Sequence, residues 1–303
     1  MKLFMKKKNR KTMRWKEKPI HWMLFISALI SVLTTIGIVF VLFSESFSFF
    51  SQVSLSEYLF GTEWTPLFEP KKFGFLPLLV GTLMIAIGSA VVAIPLGVLT
   101  AIYMTEYASS RIRSWVKPLL EILSGIPTVV YGYFALSFVT PLLQKFFPST
   151  QVFNAASACI VVGIMTLPMV ASLCDDAMRA VPNSLRYAGY AMGATKSEVA
   201  FSVVFPAALS GVVASFVLAI SRAIGETMAV TLAAGATPNM SWNFLESIQT
   251  MTAYIVQVSM GDTPHGTIEY QTLFVIGATL FVITLIMNLI SDVVLRKYKQ
   301  KYE

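Results

Sequence analysis

Charged side chains are scarce in this sequence. Asp, Glu, Lys and Arg together make up 13% of the 303 residues, whereas hydrophobic residues make up 55%. Soluble globular domains contain about 25% charged residues. A soluble protein with so few charges could not cover its surface with water-compatible groups, and the mean hydropathy of +0.69 supports the same conclusion. The composition therefore argues against an ordinary soluble domain and predicts an integral membrane protein.

Side chains suited to metal binding or catalysis are also few. The two cysteines, Cys159 and Cys174, lie in one apolar segment, and we interpret them as buried small hydrophobic residues rather than as a disulfide or metal pair. The two histidines, His21 and His265, lie at a membrane edge or in a loop, and neither H-E-x-x-H nor G-x-S-x-G occurs. We therefore expect no catalytic residue, no metal site and no cofactor, which argues against an intramembrane enzyme.

Long apolar segments, in contrast, recur along the whole chain. Six are long enough to cross the roughly 30 Å hydrocarbon core of a bilayer as helices. They lie at about Trp22–Phe43, Phe75–Tyr103, Pro118–Leu143, Phe153–Leu173, Phe205–Ala234 and Thr272–Leu295. The first exceeds the about 7–15 apolar residues of a cleavable secretion signal and lacks a small-residue cleavage site. The sequence thus predicts an all-α membrane protein with about six transmembrane helices. The prolines inside these segments leave open whether they bend helices around a path or serve packing alone.

The positions of the basic residues predict the topology. Nine Lys and Arg residues precede the first apolar segment, and nineteen lie on that side of the membrane if all six segments cross. Only Lys71, Lys72 and Lys145 lie on the opposite side, and Arg222 lies inside a segment. Because basic loops stay in the cytoplasm, both termini are expected there. The net charge of +7 then reflects topology, and no nucleic acid partner is needed.

This topology divides the chain into three parts. Residues 1–21 form a basic cytoplasmic tail, residues 22–295 a transmembrane domain, and residues 296–303 a second cytoplasmic tail. Two longer loops, at about Ser44–Gly74 and Gly235–Gln271, face outward.

The cytoplasmic segment at about residues 178–205 is too long and too organised for a simple connection. Ser184 follows a Pro-Asn turn and is expected to cap a short amphipathic helix over about Ser184–Met192, which ends at Gly193. Thr195–Glu198 has the pattern of a capping box that starts the next helix. Such a helix either docks on a partner protein or lies flat on the membrane. Arg186 is its only basic residue, which would make membrane anchoring weak and favours docking.

A family resemblance appears at this segment. Tyr187-Ala188-Gly189-x-x-x-Gly193, followed after nine residues by Val203-x-Phe205-Pro206, resembles the loop E-A-A-x3-G-x9-I-x-L-P of ABC importer permeases, with Tyr187 in place of glutamate and Gly189 in place of alanine. The resemblance implies that the short helix inserts into a groove of an ATP-hydrolysing subunit. The residues expected to couple this chain to the ATPase are Ser184, Tyr187, Ala188, Gly189, Gly193 and Pro206. The nearby string Gly193–Ser197 lacks the spacing of a phosphate-binding loop, so ATP hydrolysis is expected in a separate subunit.

Charges inside the fifth apolar segment point to a transport path. Arg222 and Glu226 stand four residues apart, which would place them on one face of a helix. A charge at bilayer depth costs about 2.5–3.5 kcal/mol on insertion scales and usually faces a cavity. The alternative is an ion pair that only satisfies itself. Arg222 is expected to grip an oxyanion, with Glu226 as its ionic partner or as a repulsive gate and Thr227 as a hydroxyl contact. Asp175 and Asp176 are interpreted as solvated charges at the end of the fourth segment.

The same string narrows the family. Arg222-Ala223-Ile224-Gly225-Glu226-Thr227 resembles the R-A-x-G-E-T motif of phosphate-importer permeases, and the residues that follow are more similar to the PstC type than to the PstA type. Further segments that resemble this family are Phe73–Leu83, Pro95–Gly97, Tyr103–Glu106 and Glu121–Gly132.

The resemblance implies a type I ABC importer permease fold and import of phosphate across the bacterial plasma membrane. The implied partners are a second permease subunit of the PstA type, a dimer of ATP-binding subunits and an extracytoplasmic phosphate-binding protein. Two alternatives stay open: a permease for another oxyanion, such as sulfate or molybdate, and an ion-coupled secondary carrier that uses Glu226.

Overall fold

The described part of the protein is almost entirely helical. A computed structural model describes the backbone of residues 10–298 and the side chains of residues 18–293. Residues 1–9 and 299–303 of the two predicted tails lie outside the described residues. Within the described range the β-structure consists of one isolated antiparallel bridge between Trp64 and Phe73. The expected all-α class is confirmed.

Fourteen α-helices and three π-helical segments follow one another along these residues. The α-helices are α1 (Arg10–Phe50), α2 (Leu55–Phe60), α3 (Leu76–Ile102), α4 (Ser110–Gly125), α5 (Thr128–Phe134), α6 (Thr140–Phe146), α7 (Ala155–Arg179), α8 (Asn183–Ala191), α9 (Lys196–Glu198), α10 (Phe205–Ala207), α11 (Leu209–Ile224), α12 (Met228–Ala234), α13 (Met251–Ser259) and α14 (Ile268–Tyr298). The π-helical segments are Tyr103–Tyr107, Ala135–Val139 and Val199–Val204.

Four of the described helical stretches are long and apolar enough to cross a membrane. They are Lys18–Phe50, Leu76–Tyr107, Ala155–Arg179 and Ile268–Val293. Two bent pairs meet the same test, Ser110–Gly125 with Thr128–Phe146 at 89° and Lys196–Ala207 with Leu209–Ile224 at 71°. If each bent pair crosses once, the described residues contain six spans, as the sequence predicted.

The bent pairs correct two predicted continuous spans. The predicted span Pro118–Leu143 is broken between α4 and α5, where Ile126 is extended before Pro127. A residue before proline is disfavoured in the helical region, and proline cannot donate the next backbone hydrogen bond. The predicted span Phe205–Ala234 is broken twice, at Ala208 and between α11 and α12. By contrast, Pro168 lies inside the uninterrupted helix α7.

The core of the fold is the contact between α3 and α7, where small residues allow the two backbones to approach. A Cβ atom at Gly163 would stand 2.6 Å from Cβ of Val92, and one at Gly88 would stand 2.4 Å from Sγ of Cys159. Cys159 and Cys174 are both buried as free thiols, as predicted. Close packing of this kind associates helices in lipid, where no hydrophobic effect drives them together.

The two predicted outward loops are ordered and pack against each other. The first contains the last turns of α1 and all of α2, and the second contains α13. The rings of Trp64 and Tyr254 meet edge to face at 5.0 Å between centroids, and Lys71 Nζ lies 2.7 Å from Oε1 of Glu269. These contacts place a rigid aromatic cap over one end of the helices.

Candidate functional site

The R-A-x-G-E-T string lies at a helix break. Helix α11 ends at Ile224, Gly225 caps it, and α12 begins at Met228. Glu226 lies in the break, where its Oε1 accepts a hydrogen bond from the backbone N–H of Ala229 at 3.2 Å. Its carbonyl oxygen accepts a second bond from the Thr252 hydroxyl at 2.8 Å. The break is therefore held from both sides.

This geometry corrects the expected ion pair. Glu226 is 8% exposed, whereas Arg222 is exposed, and among the described residues no ion pair joins the two. The spacing of four places residues on one face only while the helix continues, and here it ends between them. A carboxylate at the start of α12 is favourable because it satisfies an otherwise unpaired N–H and complements the helix dipole. Gly225, directly before Glu226 and Thr227, is the sequence feature that could have indicated the end of α11 and the start of α12.

Thr227 occupies the position before α12 without capping it. Its hydroxyl donates to the carbonyl of Gly225 at 3.1 Å, and its own carbonyl accepts from the Thr231 hydroxyl at 2.7 Å. The side chain is partly exposed.

Arg222 lines a cavity of about 420 Å³ between α4, α7, α11 and the π-helical segment that follows α3. The other residues that line it are Met104, Lys117, Leu120, Glu121, Ser124, Met165, Pro168, Met169, Ser172, Leu173 and Asp175. A guanidinium that contacts a passing anion would have to face an opening of this kind, and Arg222 is among the residues that line this one. In the described part of the chain the Arg222 side chain makes no hydrogen bond and no ion pair.

Asp175 at the cavity wall is not a solvated end charge, contrary to the prediction. It is 2% exposed. Its Oδ2 lies 2.8 Å from Nε of Arg179, and its Oδ1 accepts from the Thr105 hydroxyl at 2.7 Å. Asp176 is exposed, as expected. The difference arises because α7 continues to Arg179 and places Asp175 against the π-helical segment that follows α3.

The coupling segment has the predicted form with one error. Helix α8 spans Asn183–Ala191, within one residue of the expected bounds at each end. Pro182 precedes it and no side chain caps it, so Ser184 lies in the first turn and is not the cap. Gly193 has φ +84°, a left-handed conformation that favours glycine, and the capping box of Thr195 and Glu198 is present.

All but one of the residues expected to contact the ATPase are exposed on the surface. Tyr187 is 69% exposed, Ala188 and Pro206 are also exposed, and α8 has no buried residue. Gly189 faces the chain instead, since a Cβ atom there would stand 3.0 Å from Cγ2 of Val199.

Arg186, treated from the sequence only as a weak membrane anchor, connects α8 to the rest of the fold. Its Nε lies 3.1 Å from Oε1 of Glu106, and the two side chains are 12% and 5% exposed. The guanidinium also donates to the carbonyls of Met178 at 2.8 Å and Val181 at 2.6 Å. Glu106 lies in the π-helical turn that follows α3, two residues from Met104 of the cavity wall. Nothing in the local spacing marks this pair, because its partners are distant in sequence.

Comparison with known proteins agrees with this architecture. Residues 93–300 match the family described as binding-protein-dependent transport system inner membrane component. The chain is 35% identical over 238 residues to the probable ABC transporter permease protein YqgH of Bacillus subtilis (strain 168), covering 78% of this chain and 77% of that one. It is 30% identical over 280 residues to the phosphate transport system permease protein PstC of Mesorhizobium japonicum, covering 86% and 84%.

A solved structure resembles the fold over nearly the whole chain. It is a bacterial alginate ABC transporter in complex with an alginate pentasaccharide-bound periplasmic protein, with a TM-score of 0.57 at 16% identity and coverage of 93% of this chain and 97% of that one. At this identity the likeness concerns the fold alone.

Proposed function

The chain belongs to the family of binding-protein-dependent transport system inner membrane components, and on that basis we propose that it is the permease subunit of a phosphate importer driven by a separate ATPase. Its fold is that of a type I ABC importer permease embedded in a membrane. The chain is a transport subunit. We place it in the bacterial plasma membrane, with ATP hydrolysis assigned to a partner.

The observation that carries the proposal is the placement of Arg222. Arg222 lines a cavity between three α-helices and the π-helical segment after α3, and it has no carboxylate partner among the described residues. An arginine stays charged and can bind an oxyanion through two parallel hydrogen bonds. The names of the PstC relatives, at about 30% identity over most of the chain, support phosphate as that oxyanion.

Glu226 and Thr227 act at the helix break beside this site. The carboxylate of Glu226 holds the start of α12 and is not available to neutralise Arg222 in this conformation. Movement at the break would shift Arg222 relative to α12 and so open or close the path. The Thr227 hydroxyl at the rim of the break is a further contact for a passing anion.

Coupling to ATP runs through α8. The exposed side chains of Tyr187 and Ala188, with the corner at Gly193, form the surface that docks on the ATPase. Ser184 in the first turn of α8 and the exposed Pro206 lie at the edges of this surface, and Gly189 packs beneath it against Val199. Movement of α8 on the ATPase is transmitted through the Arg186–Glu106 ion pair to the π-helical segment that contains Met104 of the cavity wall.

In the complete importer this chain would contact three protein partners and the lipid bilayer. A second permease subunit of the PstA type shares the path, a dimer of ATP-binding subunits docks on α8, an extracytoplasmic phosphate-binding protein delivers cargo to the outer cap, and the lipid bilayer surrounds the helices. The exposed apolar surface of the isolated chain is consistent with this assembly.

The decisive experiment is uptake of radioactive phosphate into proteoliposomes that contain the chain with its second permease subunit, the ATP-binding subunits and the phosphate-binding protein. Uptake should require ATP and the binding protein, and Arg222→Gln should abolish it while the complex still assembles. Arg111→Gln, an equal loss of charge at an exposed position outside the cavity, should leave uptake intact. Normal uptake by the Arg222→Gln variant, or uptake that follows an ion gradient without the ATPase, would overturn the proposal.

A further inference from the structure

We propose that the cavity beside Arg222 is a binding site for an oxyanion that still carries a proton, with Lys117 as a second cationic contact and Glu121 as the acceptor that selects for the proton. This inference rests on the proposed function and specifies how its cargo is chosen. Lys117 and Glu121 both belong to α4, and both line the cavity together with Arg222 of α11.

The two cations are available to a ligand. Lys117 and Arg222 lie on different helices, and neither forms an ion pair within the described residues. Of the two carboxylates at the cavity wall, Asp175 is already bound by Arg179 and Thr105. The remaining charges are therefore two positive groups and the carboxylate of Glu121. The net charge of these three groups is positive, which favours binding of an anion.

Pairing between Lys117 and Glu121 is the simplest alternative. The two residues stand four apart in one helix, where oppositely charged side chains can form a surface ion pair. No such pair joins them among the described residues, and both are exposed residues that line the cavity. Exposed pairs of this type are worth little, so an entering anion can recruit Lys117 easily.

Glu121 provides the discrimination. An ionised carboxylate only accepts hydrogen bonds. Phosphate near neutral pH keeps at least one proton and can donate it to Glu121, whereas sulfate is fully ionised and has none. Sulfate in the same place would set two negative groups against each other without a hydrogen bond. A site that pairs with a substrate hydroxyl rejects an analogue that lacks it, because its own polar group is left unpaired.

A cysteine reporter can test this independently of the binding protein. Ser124 is exposed in the cavity wall, and both native cysteines are buried. In the detergent-solubilised complex of Ser124→Cys, the labelling rate with a neutral maleimide is measured against phosphate or sulfate at constant ionic strength. Phosphate should slow labelling and sulfate should not. Ser114→Cys, exposed on the same helix outside the cavity, serves as the control and should respond to neither anion.

Further substitutions in the Ser124→Cys background test the roles of Lys117 and Glu121. Lys117→Gln should raise the phosphate concentration for half-protection about tenfold, equivalent to 1.4 kcal/mol, while Lys117→Arg should preserve it. Glu121→Gln should let sulfate protect as well as phosphate, because the amide can donate.

Equal protection by both anions in the Ser124→Cys parent would overturn the selection, and no protection would overturn the site. Protection with the expected pattern but no phosphate uptake by the complete importer would refute the proposed function and leave the site standing. Normal phosphate uptake by the complete importer without any protection from labelling would refute the site and leave the proposed function standing.

Discussion

Glu106 and Arg186, 80 residues apart in sequence, form a largely buried ion pair with 3.1 Å between Oε1 and Nε. Glu106 follows α3 and Arg186 belongs to α8, so the pair joins a membrane helix to the surface proposed to contact the ATPase. The same guanidinium binds the carbonyls of Met178 in α7 and of Val181 just after it. One side chain thus connects α8 to α7 and to the π-helical segment that follows α3.

Breaking this pair should destabilise the protein and weaken coupling. Glu106→Gln leaves the buried charge of Arg186 without its partner, which costs about 3–5 kcal/mol of unfolding free energy. The unfolding temperature of the solubilised complex should fall, and ATP hydrolysis should become less dependent on the binding protein. Glu63→Gln, at an exposed position, is the matched control. The double variant Glu106→Gln/Arg186→Gln should lose less than the sum of the two single losses. Strict additivity would show that the pair carries no coupling energy.

The corner after α8 should tolerate asparagine but not valine. Gly193 has φ +84° and open space around it, so backbone conformation alone limits substitution. A side chain there costs about 1–2 kcal/mol, and asparagine adopts the left-handed region more readily than a β-branched residue. Gly193→Val should reduce the amount of ATPase subunit that co-purifies, and Gly193→Asn should reduce it less. Gly37→Val is the control, because Gly37 also has open space but lies inside α1. Undiminished co-purification with Gly193→Val would refute the docking surface.

The helix break should depend more on a hydrogen-bond acceptor at position 226 than on the charge of that side chain. Glu226→Gln keeps an oxygen for the N–H of Ala229, whereas Glu226→Ala leaves that donor unpaired. Loss of such a cap costs about 0.5–2 kcal/mol. Thermal unfolding should therefore separate the two variants, with Glu226→Ala the less stable. If both variants unfolded at the same temperature, the carboxylate would not hold the break.

The close contact between α3 and α7 should be sensitive to volume. Leucine at Gly163 would collide with Val92, since even a Cβ atom would stand 2.6 Å from that side chain. Overpacking of this kind costs about 1–3 kcal/mol. Gly163→Leu should lower the unfolding temperature, while Gly37→Leu, with no atom of another residue within 4 Å of the added Cβ, should not. Equal behaviour of the two variants would mean that α3 and α7 can separate without loss.

Local features of the fold could be predicted because their signals lie within a few residues. The bounds of α8 were correct to within one residue, since the Pro182 turn and Gly193 mark its ends. The capping box of Thr195 and Glu198 was predicted for the same reason. A bend at Pro127 was one of the two possibilities that the prolines left open, and the structure has it. The break at Gly225 was missed because apolar composition continues across it, and composition alone does not distinguish one helix from two.

The candidate site was predicted only in part. Arg222 was expected at a cavity and lines one, but its ionic partner was wrong, since Glu226 is used by the backbone of α12. Lys117 and Glu121 were not considered as site residues. Lys117 was counted among the basic residues of a cytoplasmic connection, and Glu121 fell inside the predicted span Pro118–Leu143. Asp175 was assigned to solvent, although Arg179 and Thr105 bury it.

The sequence by itself determined that the chain is a membrane protein, where its apolar helical segments lie and where the chain turns after α8. Those properties depend on the summed transfer energy of neighbouring residues and on backbone preferences, both of which are local. Only the tertiary structure decided which charges neutralise one another and which are left to face a ligand. Ion pairing depends on distance through space and on burial, and the folded chain brings Glu106 to Arg186 while Arg222 and Lys117 face the cavity without an ion-pair partner among the described residues.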